Sequence, residues 1–321
     1  MNEAPVIEVQ GLTKYYDGVL AVDQISFEVR SGETFGFLGP NGAGKTTTIR
    51  ILTGLSKSSN GVARVLGYDI DSEIVKAKKS FGVVPEQSNL YDEFTALDNL
   101  IFMAQLYGVP HDQREERAKE LLKTFGLLSK QDSRFAGLSR GMKRALTIAA
   151  ALIHQPRLLF LDEPTVGLDV VNARSLRTFI QELHHQGVTV FLTTHYLEEA
   201  DLLCDRIALL AQGKIVALDT PESLKRKVTL ETACEVYFIP VPTEISGLEE
   251  QEGVYRVERL NDGFRIYGES VSLLTKVISS YASQERLEII SVSTVRPTLE
   301  DAFIQFTGLS PEMMLAEKGG K

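Results

Sequence analysis

A glycine-rich segment that ends in a lysine and two threonines is the clearest source of chemistry in the sequence. Residues 39–46 read GPNGAGKT and fit the pattern G-x-x-x-x-G-K-[ST], between a strand-like and a helix-like run. The glycines let backbone N–H groups converge on phosphate oxygens, and the helix N-terminus adds positive potential. We predict a nucleotide phosphate site formed by Gly39, Pro40, Asn41, Gly42, Ala43, Gly44, Lys45, Thr46 and Thr47.

Within this phosphate loop, two side chains have defined chemical tasks. Lys45 is placed to reach the β- and γ-phosphates, and the Thr46 hydroxyl is placed to ligate Mg²⁺.

A second segment, LLFLDEP, supplies two carboxylates at the end of an apolar strand. Ligands of open α/β sheets bind at that edge. We therefore expect Asp162 to hold Mg²⁺ and Glu163 to polarise an attacking water.

The bulk composition excludes several other classes of protein. The chain has 321 residues and a net charge of -9, from 34 Lys and Arg against 43 Asp and Glu. A broadly basic face for nucleic acid is therefore not expected. The cysteines, Cys204 and Cys234, are too few and too far apart for a disulfide framework or a zinc site. No apolar run approaches the roughly 18 residues of a membrane span, so we expect any membrane role to act through a partner.

The elements that must position these residues follow an α/β pattern. Apolar strands alternate with helices up to about residue 225, which predicts a parallel sheet covered on both faces. Residues 88–155 are expected to form a helical subdomain within this first domain, 1–225. The sequence pattern then changes to short strands with two helices, and we predict a small α+β domain at 226–310 and a flexible tail at 311–321.

The order of the motifs carries a family resemblance. The phosphate loop is followed by LSRGM, LLFLDEP, GLD and TTH, an order that resembles ATP-binding-cassette (ABC) ATPases over roughly residues 5–220. The resemblance implies a P-loop NTPase cassette with a parallel-sheet core, an antiparallel β subdomain and a helical subdomain. It also implies ATP hydrolysis with Mg²⁺, in a homodimer or paired cassette that encloses two ATP molecules.

Three single residues take their predicted roles from this resemblance. Tyr16 rather than Tyr15 matches the aromatic that stacks on adenine. His195 matches the switch histidine that contacts the γ-phosphate, and Asp169 matches the loop that crosses to the opposite subunit.

The segment LSRGM matches the family signature, which is usually LSGGQ. By resemblance, Ser139 and Gly141 contact the γ-phosphate bound by the other subunit. Elementary chemistry agrees, because a helix N-terminus beside a hydroxyl and an open glycine attracts anions. Arg140 replaces a family glycine, and either a phosphate or cross-interface contact or a solvent-facing side chain is consistent with the sequence.

The loop that couples nucleotide to the membrane partner departs from the family pattern. The family has Gln after a strand and Pro, whereas VVPEQSNLY places Glu86 there with Gln87 next. Glu86 could replace the family Gln as an oxygen donor facing the metal, which would add it to Thr46 and Asp162. The sequence leaves open which of the two residues faces the site.

A narrower resemblance comes from NLYDEFT, THYLEEAD and the ending RPTLEDAFIQFTG. These segments look like the single-cassette ATPases of drug-resistance-type (daunorubicin-type) exporters. The implied partner is a separate transmembrane permease, with this chain at the cytoplasmic face of the cell membrane. Two alternative functions are a soluble ABC ATPase acting on nucleic acid or ribosomes, and a nucleotide kinase. The transported molecule cannot be read here, because its pocket would lie in the other polypeptide.

Overall fold

The computed structural model describes residues 4–228, 231–242 and 246–309. Within these described ranges, no helix combines enough length and apolar character to cross a bilayer. In chain order the elements are β1 (Ile7–Tyr16), β2 (Val19–Val29), β3 (Thr34–Leu38), α1 (Lys45–Leu52), β4 (Asn60–Val65), β5 (Tyr68–Asp69), α2 (Ile74–Lys78), β6 (Phe81–Val84), α3 (Ala96–Leu106), α4 (His111–Thr124), α5 (Arg140–Leu152), β7 (Leu158–Asp162), α6 (Val170–His185), β8 (Thr189–Thr194), α7 (Leu197–Leu203), β9 (Arg206–Ala211), β10 (Lys214–Asp219), α8 (Pro221–Arg226), β11 (Ala233–Ile239), α9 (Ser246–Glu249), β12 (Val254–Arg259), β13 (Phe264–Gly268), α10 (Val271–Gln284), β14 (Glu288–Thr294) and α11 (Leu299–Thr307).

These elements form two compact units. The second unit is Lys225–Ala302, and the first contains residues 4–224 together with 303–309. The domain limits predicted at 225 and 310 stay predictions. The predicted flexible tail, 311–321, lies outside the described residues.

A six-stranded sheet in the order β10-β9-β3-β8-β7-β6 is the centre of the first unit. Its strands run parallel except β10, which pairs antiparallel with β9. Every residue of β3, β7 and β8 is buried, as expected for strands covered on both faces. The register pairs Leu38 with Thr194 and Asp162 with Thr193. The segments that follow β3, β7 and β8 therefore begin at one edge of the sheet.

A second, antiparallel sheet of the first unit has the order β2-β1-β4-β5. Its hairpin pairs Tyr16 with Val19 across the two residues Asp17 and Gly18. Both of these turn residues have positive φ, 46° and 84°. That conformation is typical of a type I′ turn, for which Asp-Gly is a preferred sequence. The turn fixes Tyr16 at the tip of β1.

The two sheets of the first unit share one hydrophobic core. Phe27 of the antiparallel sheet stacks on Phe35 of β3, with ring centroids 5.6 Å apart. Phe191 of β8 lies 5.8 Å from Phe35 and 5.6 Å from Phe160 of β7. Aromatic pairs at such distances add to the stabilisation from burial. This packing holds the strands that carry the phosphate loop and the two carboxylates.

Helices α3, α4 and α5 form a helical part with a core of its own. Leu100, Leu122 and Leu146, one from each helix, are fully buried in this core. Helix α3 begins after its N-cap Thr95, whose hydroxyl accepts a hydrogen bond from the Asp98 N–H at 3.0 Å and donates one to the Asp98 carboxylate at 2.6 Å. The chain therefore folds locally here as the sequence indicates.

The second unit contains an antiparallel sheet in the order β12-β13-β11-β14. Helix α10 packs on this sheet through Leu274 and Ile278, which share a core with Phe238 and Phe264. The Ser270 hydroxyl caps α10 by accepting a hydrogen bond from the Leu273 N–H at 3.3 Å. Strand and helix together give the α+β character that the sequence predicts for this region.

Candidate functional site

The phosphate loop joins the end of β3 to the start of α1. A Cβ atom at Gly39 would lie 2.4 Å from the Leu210 carbonyl oxygen, and one at Gly44 would lie 2.7 Å from that of Ala21. Gly44 also has φ +105°, in the region that favours glycine. Glycine is therefore needed at both positions, because a Cβ atom would collide with a backbone carbonyl oxygen of another segment. The loop presents Lys45 as the first residue of α1.

Lys45 is buried and makes three polar contacts in this structure. Its Nζ donates to the carbonyl oxygens of Gly39 at 2.6 Å and Pro40 at 3.3 Å. It also forms an ion pair with Glu163 Oε1 at 3.1 Å. The two sequence segments that predicted nucleotide chemistry are thus joined by a direct contact.

Asp162 accepts hydrogen bonds from two threonine hydroxyls through Oδ1. Thr193 Oγ1 donates at 2.6 Å and Thr46 Oγ1 donates at 3.3 Å. Burial raises the pKa of Asp162 above its ordinary value, although these two hydrogen bonds oppose the effect. A bound cation would favour the ionised form. The Thr46 hydroxyl and the Asp162 carboxylate are hard oxygen donors of the kind that Mg²⁺ prefers.

Glu163 lies between two cationic or polar partners. His195 Nδ1 is 2.9 Å from Glu163 Oε2, whereas Lys45 contacts the other carboxylate oxygen, Oε1. Burial tends to raise the pKa of Glu163, but the hydrogen bond from His195 and the charge of Lys45 outweigh it. The pKa is therefore held below its ordinary value. An ionised carboxylate only accepts, so His195 carries its proton on Nδ1.

A cavity of about 750 Å³ opens beside these groups. This volume lies in the range of small-molecule and cofactor sites. Of the predicted site residues, the cavity is lined by Tyr16, Asn41, Gly42, Gly44, Lys45, Thr46, Thr47, Glu86, Glu163 and His195. The structure thus brings together side chains from five separate parts of the sequence.

The lining of the cavity distinguishes Tyr16 from Tyr15 and Glu86 from Gln87. Tyr16 lines the cavity, whereas Tyr15 is not among the lining residues. Successive side chains of a strand point to opposite faces, which explains the difference between these neighbours. Glu86 lines the cavity and Gln87 does not. We therefore assign the position that faces the cavity to Glu86.

The cavity also has lining residues that the sequence analysis missed. They are Val19, Leu20, Ala21, Val166 and Tyr196. The apolar side chain of Leu20 is 38% exposed, and the nearby ring of Tyr16 is 40% exposed. An aromatic at a hairpin tip with apolar neighbours after the turn was a signal that could have found the first three.

A second group of predicted residues lies outside this cavity. Ser139, Arg140, Gly141 and Asp169 are not among its lining residues. The Ser139 hydroxyl caps α5 by accepting from the Met142 N–H at 3.3 Å. A Cβ at Gly141 would lie 2.6 Å from the side chain of Asn172. These residues form a second group at the start of α5 and α6.

Asp169 connects this second group to helix α6. Its Oδ1 accepts from the Asn172 N–H at 2.9 Å, and its Oδ2 accepts from Asn172 Nδ2 at 2.6 Å. These hydrogen bonds lower the pKa of Asp169 below its ordinary value. Asp169 is thus the N-cap of α6 and also fixes the side chain that contacts Gly141.

Comparison with known proteins identifies the family. The family model described as ABC transporter matches residues 22–166. The chain is 34% identical to the linearmycin resistance ATP-binding protein LnrL of Bacillus subtilis (strain 168), over 94% of this chain and 98% of the relative. It is 37% identical to the Nod factor export ATP-binding protein I of Rhizobium sp. (strain N33), over 95% of this chain and 98% of the relative. It is 34% identical to the daunorubicin/doxorubicin resistance ATP-binding protein DrrA of Streptomyces peucetius, over 96% of this chain and 94% of the relative.

The chain belongs to the ABC transporter family.

Solved structures agree with this identification. An ATP-binding subunit of an ABC transporter has a TM-score of 0.64 and 32% identity, and the match covers 69% of this chain and 92% of that one. A dimeric post-hydrolysis state of the ATP-binding cassette MJ0796, bound to ADP and Pi, has a TM-score of 0.62 and 25% identity, over 67% and 98%. The predicted family, fold class and ATPase activity are confirmed.

As an ABC ATP-binding subunit, the chain binds ATP and works with a membrane transporter. The alternative of a soluble ABC ATPase acting on nucleic acid or ribosomes is not supported. The roles of single residues in this ABC subunit remain predictions, and the geometry above is the basis for assigning them.

One further residue of the site escaped the sequence analysis. Arg144 of α5 is 8% exposed and donates hydrogen bonds to carbonyl oxygens that follow β6 and β7. Burial lowers the pKa of its guanidinium to about 10. Arg144 therefore stays protonated at neutral pH. No sequence signal marked it, because main-chain carbonyls have no residue-specific signature.

Proposed function

We propose that this chain is the ATP-hydrolysing subunit of an exporter, and that two cassettes close around two ATP molecules to drive a separate transmembrane permease. The relatives are described by drug resistance or by Nod factor export, which supports the outward direction. With the permease as membrane partner, the chain lies at the cytoplasmic face of the cell membrane. The second cassette is a further copy of this chain or a paired cassette.

ATP binding uses the two ends of the cavity. Tyr16 stacks on adenine, and the exposed apolar surface of Val19 and Leu20 extends that contact. The phosphates occupy the phosphate loop, where N–H groups and the α1 N-terminus supply positive potential. The Lys45 ammonium then exchanges its contact with Glu163 for the phosphates.

The proposed Mg²⁺ site consists of Thr46, Asp162 and Glu86. Thr46 and Asp162 are in direct contact, and Thr46 and Glu86 both line the cavity. Among the described residues, no group of three His, Cys, Asp or Glu could hold a metal by itself. The site therefore fits an ion that takes its remaining ligands from phosphate and water. Bound there, Mg²⁺ would neutralise charge on the phosphate oxygens.

Hydrolysis is assigned to Glu163 as general base. When the phosphates attract Lys45, Glu163 Oε1 becomes free to accept a proton from water. The water oxygen bonds to the γ-phosphorus, and the bond to the β–γ bridging oxygen breaks, which gives ADP and phosphate. His195 keeps its contact with Glu163 through Nδ1, and its role at the γ-phosphate is assigned from the family resemblance.

The residues outside the cavity are assigned to the partner's site. Ser139 provides a hydroxyl, and Gly141, which packs against Asn172, belongs to the helix N-terminus for the γ-phosphate of the second cassette. Asp169 contacts the opposite subunit, and Arg140 is available for the same interface. This assignment explains why a helix N-terminus with anion-binding character lies outside the chain's own cavity.

The observation that carries the proposal is the Glu163 carboxylate held between Lys45 and His195 beside the phosphate loop. The test is Glu163→Gln, with Glu33→Gln as matched control. Glu33 is a buried glutamate that bonds Arg206 and lies outside the cavity lining. We expect Glu163→Gln to bind ATP, to lose turnover by about 100-fold or more, and to accumulate as an ATP-bound dimer. Glu33→Gln should keep parental turnover. Full hydrolysis by Glu163→Gln would overturn the assignment.

A further inference from the structure

Arg144 is a buried cation whose hydrogen bonds all go to the main chain. It lies on helix α5 and is 8% exposed. Burying a charged group is costly unless every donor finds a partner. The planar guanidinium has five N–H donors in a fixed fork. Its surroundings therefore indicate a specific structural task.

The first group of acceptors begins at the last residue of strand β7. Arg144 Nε donates to the Pro164 carbonyl oxygen at 2.8 Å. The Nη2 atom donates to the carbonyl oxygens of Asp162 at 3.0 Å and Glu163 at 3.2 Å. One side chain thus binds three consecutive peptide groups that include the predicted metal ligand and the predicted base.

The second group of acceptors lies in the coupling loop after β6. Arg144 Nη1 donates to the carbonyl oxygen of Pro85, and to that of Glu86 at 3.3 Å. Glu86 is the residue of this loop that lines the nucleotide cavity. The guanidinium therefore connects the coupling loop to the end of β7.

The backbone at Glu163 shows why such support is needed. Glu163 has φ +46°, a left-handed conformation that costs a non-glycine residue free energy. Its N–H is held by the carbonyl oxygen and the hydroxyl of Thr193, both at 3.1 Å. Its carbonyl oxygen is held by Arg144. Both sides of this strained residue are thus fixed, and the direction of the carboxylate follows.

The same arginine belongs to the helix that starts at the signature segment. Ser139 caps α5 and Arg144 lies in its second turn. Arg144 therefore links the helix that begins at the signature segment to the peptide groups of Glu163 and Glu86.

We propose that Arg144 is a positioning residue for ATP hydrolysis, which orients Glu163 and ties the coupling loop to helix α5. This inference rests on the proposed role of Glu163 as general base. A lysine cannot replace Arg144 fully, because its ammonium is a point charge that does not reproduce the planar fork. A purely structural arginine would stabilise the fold without a selective effect on turnover.

The experiment measures turnover, ATP affinity and thermal stability for Arg144→Met and Arg144→Lys. Affinity is measured with a fluorescent ATP analogue, and turnover at a temperature well below the Tm of each variant. We expect kcat of Arg144→Met to fall by about 10- to 100-fold, as misplacement of a catalytic group by about 1 Å does. The affinity for the analogue should stay within about two-fold, since the phosphate loop is unchanged. Arg144→Lys should have an intermediate kcat.

The matched control is Arg206→Met. Arg206 is another arginine of the first unit with little exposure, and it donates to the Glu28 carbonyl oxygen at 3.2 Å and to Glu33. We expect the Arg206→Met substitution to lower the Tm and to leave kcat unchanged. If Arg144→Met does not fold, Arg144→Lys decides: a parental kcat in that variant overturns the proposal.

Combination with Glu163→Gln separates this inference from the proposed function. If Arg144 acts through Glu163, Arg144→Met causes no further loss of the residual turnover of Glu163→Gln. Multiplicative losses in the double variant would overturn the inference and leave Glu163 as base. Parental turnover in Glu163→Gln alone would instead overturn the proposed function. Equal losses of kcat and ATP affinity in Arg144→Met would reduce Arg144 to a structural role.

Discussion

Glu163 keeps a charge in surroundings where burial alone would favour the neutral acid. The hydrogen bond from His195 and the ammonium of Lys45 hold its pKa below the ordinary value of 4.5, against the effect of burial. A base must be ionised before water arrives, so this balance of contacts is itself a functional property. Glu163 thus differs from neighbouring Asp162, whose pKa is raised by burial.

The depressed pKa of Glu163 predicts a pH dependence of stability. Because the folded carboxyl holds its proton less tightly than the unfolded one, its contribution is fully present above pH 4.5 and is lost as pH falls through the folded pKa. We therefore expect the difference in unfolding free energy between the parent and Glu163→Gln to be constant near neutral pH and to shrink in acid. Urea unfolding of the nucleotide-free protein at a series of pH values measures it.

Glu33→Gln provides the control of opposite sign. Burial raises the pKa of Glu33, so its contribution is fully present below 4.5 and is lost as pH rises through the folded pKa. The difference between parent and Glu33→Gln should therefore shrink towards neutral pH. A Glu163 difference that follows the Glu33 trend would contradict the depressed pKa.

At the scale of elements, helix N-termini are used twice in different ways. Ser139 caps α5 and Ser270 caps α10, each through one hydrogen bond from a main-chain N–H at 3.3 Å. Ser139→Ala and Ser270→Ala should each lower the unfolding free energy by about 0.5–2 kcal/mol, as loss of a cap does. The two variants are therefore matched in their structural effect.

Their effects on turnover should differ. If Ser139 also binds the γ-phosphate of the second cassette, Ser139→Ala loses a hydrogen bond to a charged group and about 10- to 100-fold in turnover. Ser270→Ala should keep parental turnover. Similar ATPase rates for both variants would show that Ser139 is only a helix cap.

At the scale of the whole molecule, the proposed function requires one chain to contribute a half-site to each of two ATP sites. Six phosphate-loop residues and Glu163 line one cavity, whereas Ser139, Arg140 and Gly141 lie outside its lining. A two-fold pair of chains would complete both sites at once. This arrangement predicts that a chain defective in one half-site can be rescued by a chain defective in the other.

Mixing Lys45→Met with Ser139→Ala tests this prediction. Each variant alone should have little turnover, since both of its sites are defective. In an equal mixture about half of the pairs are mixed, and each mixed pair has one intact site, so about a quarter of parental turnover should return. Absence of recovery, with mixed pairs demonstrated by pull-down between differently tagged chains, would contradict a shared site.

Much of the fold and part of the site follow from the sequence. Apolar strands alternating with helices indicated the α/β class. The phosphate loop was readable because its glycines and lysine act within a few residues of one another. Val166 and Tyr196 could not be assigned to the cavity from the sequence, because their place in its lining depends on how distant segments pack together.

The sequence by itself determined the family, the phosphate loop, the acidic pair after β7 and the capped start of α5, since each depends on contacts between near neighbours in the chain. Only the tertiary structure decided that Glu86 rather than Gln87 lines the cavity, that Lys45 contacts Glu163, and that Arg144 binds the main chain of two distant segments. The physical reason is that strand register and helix packing set these contacts, and a carbonyl oxygen is the same at every residue.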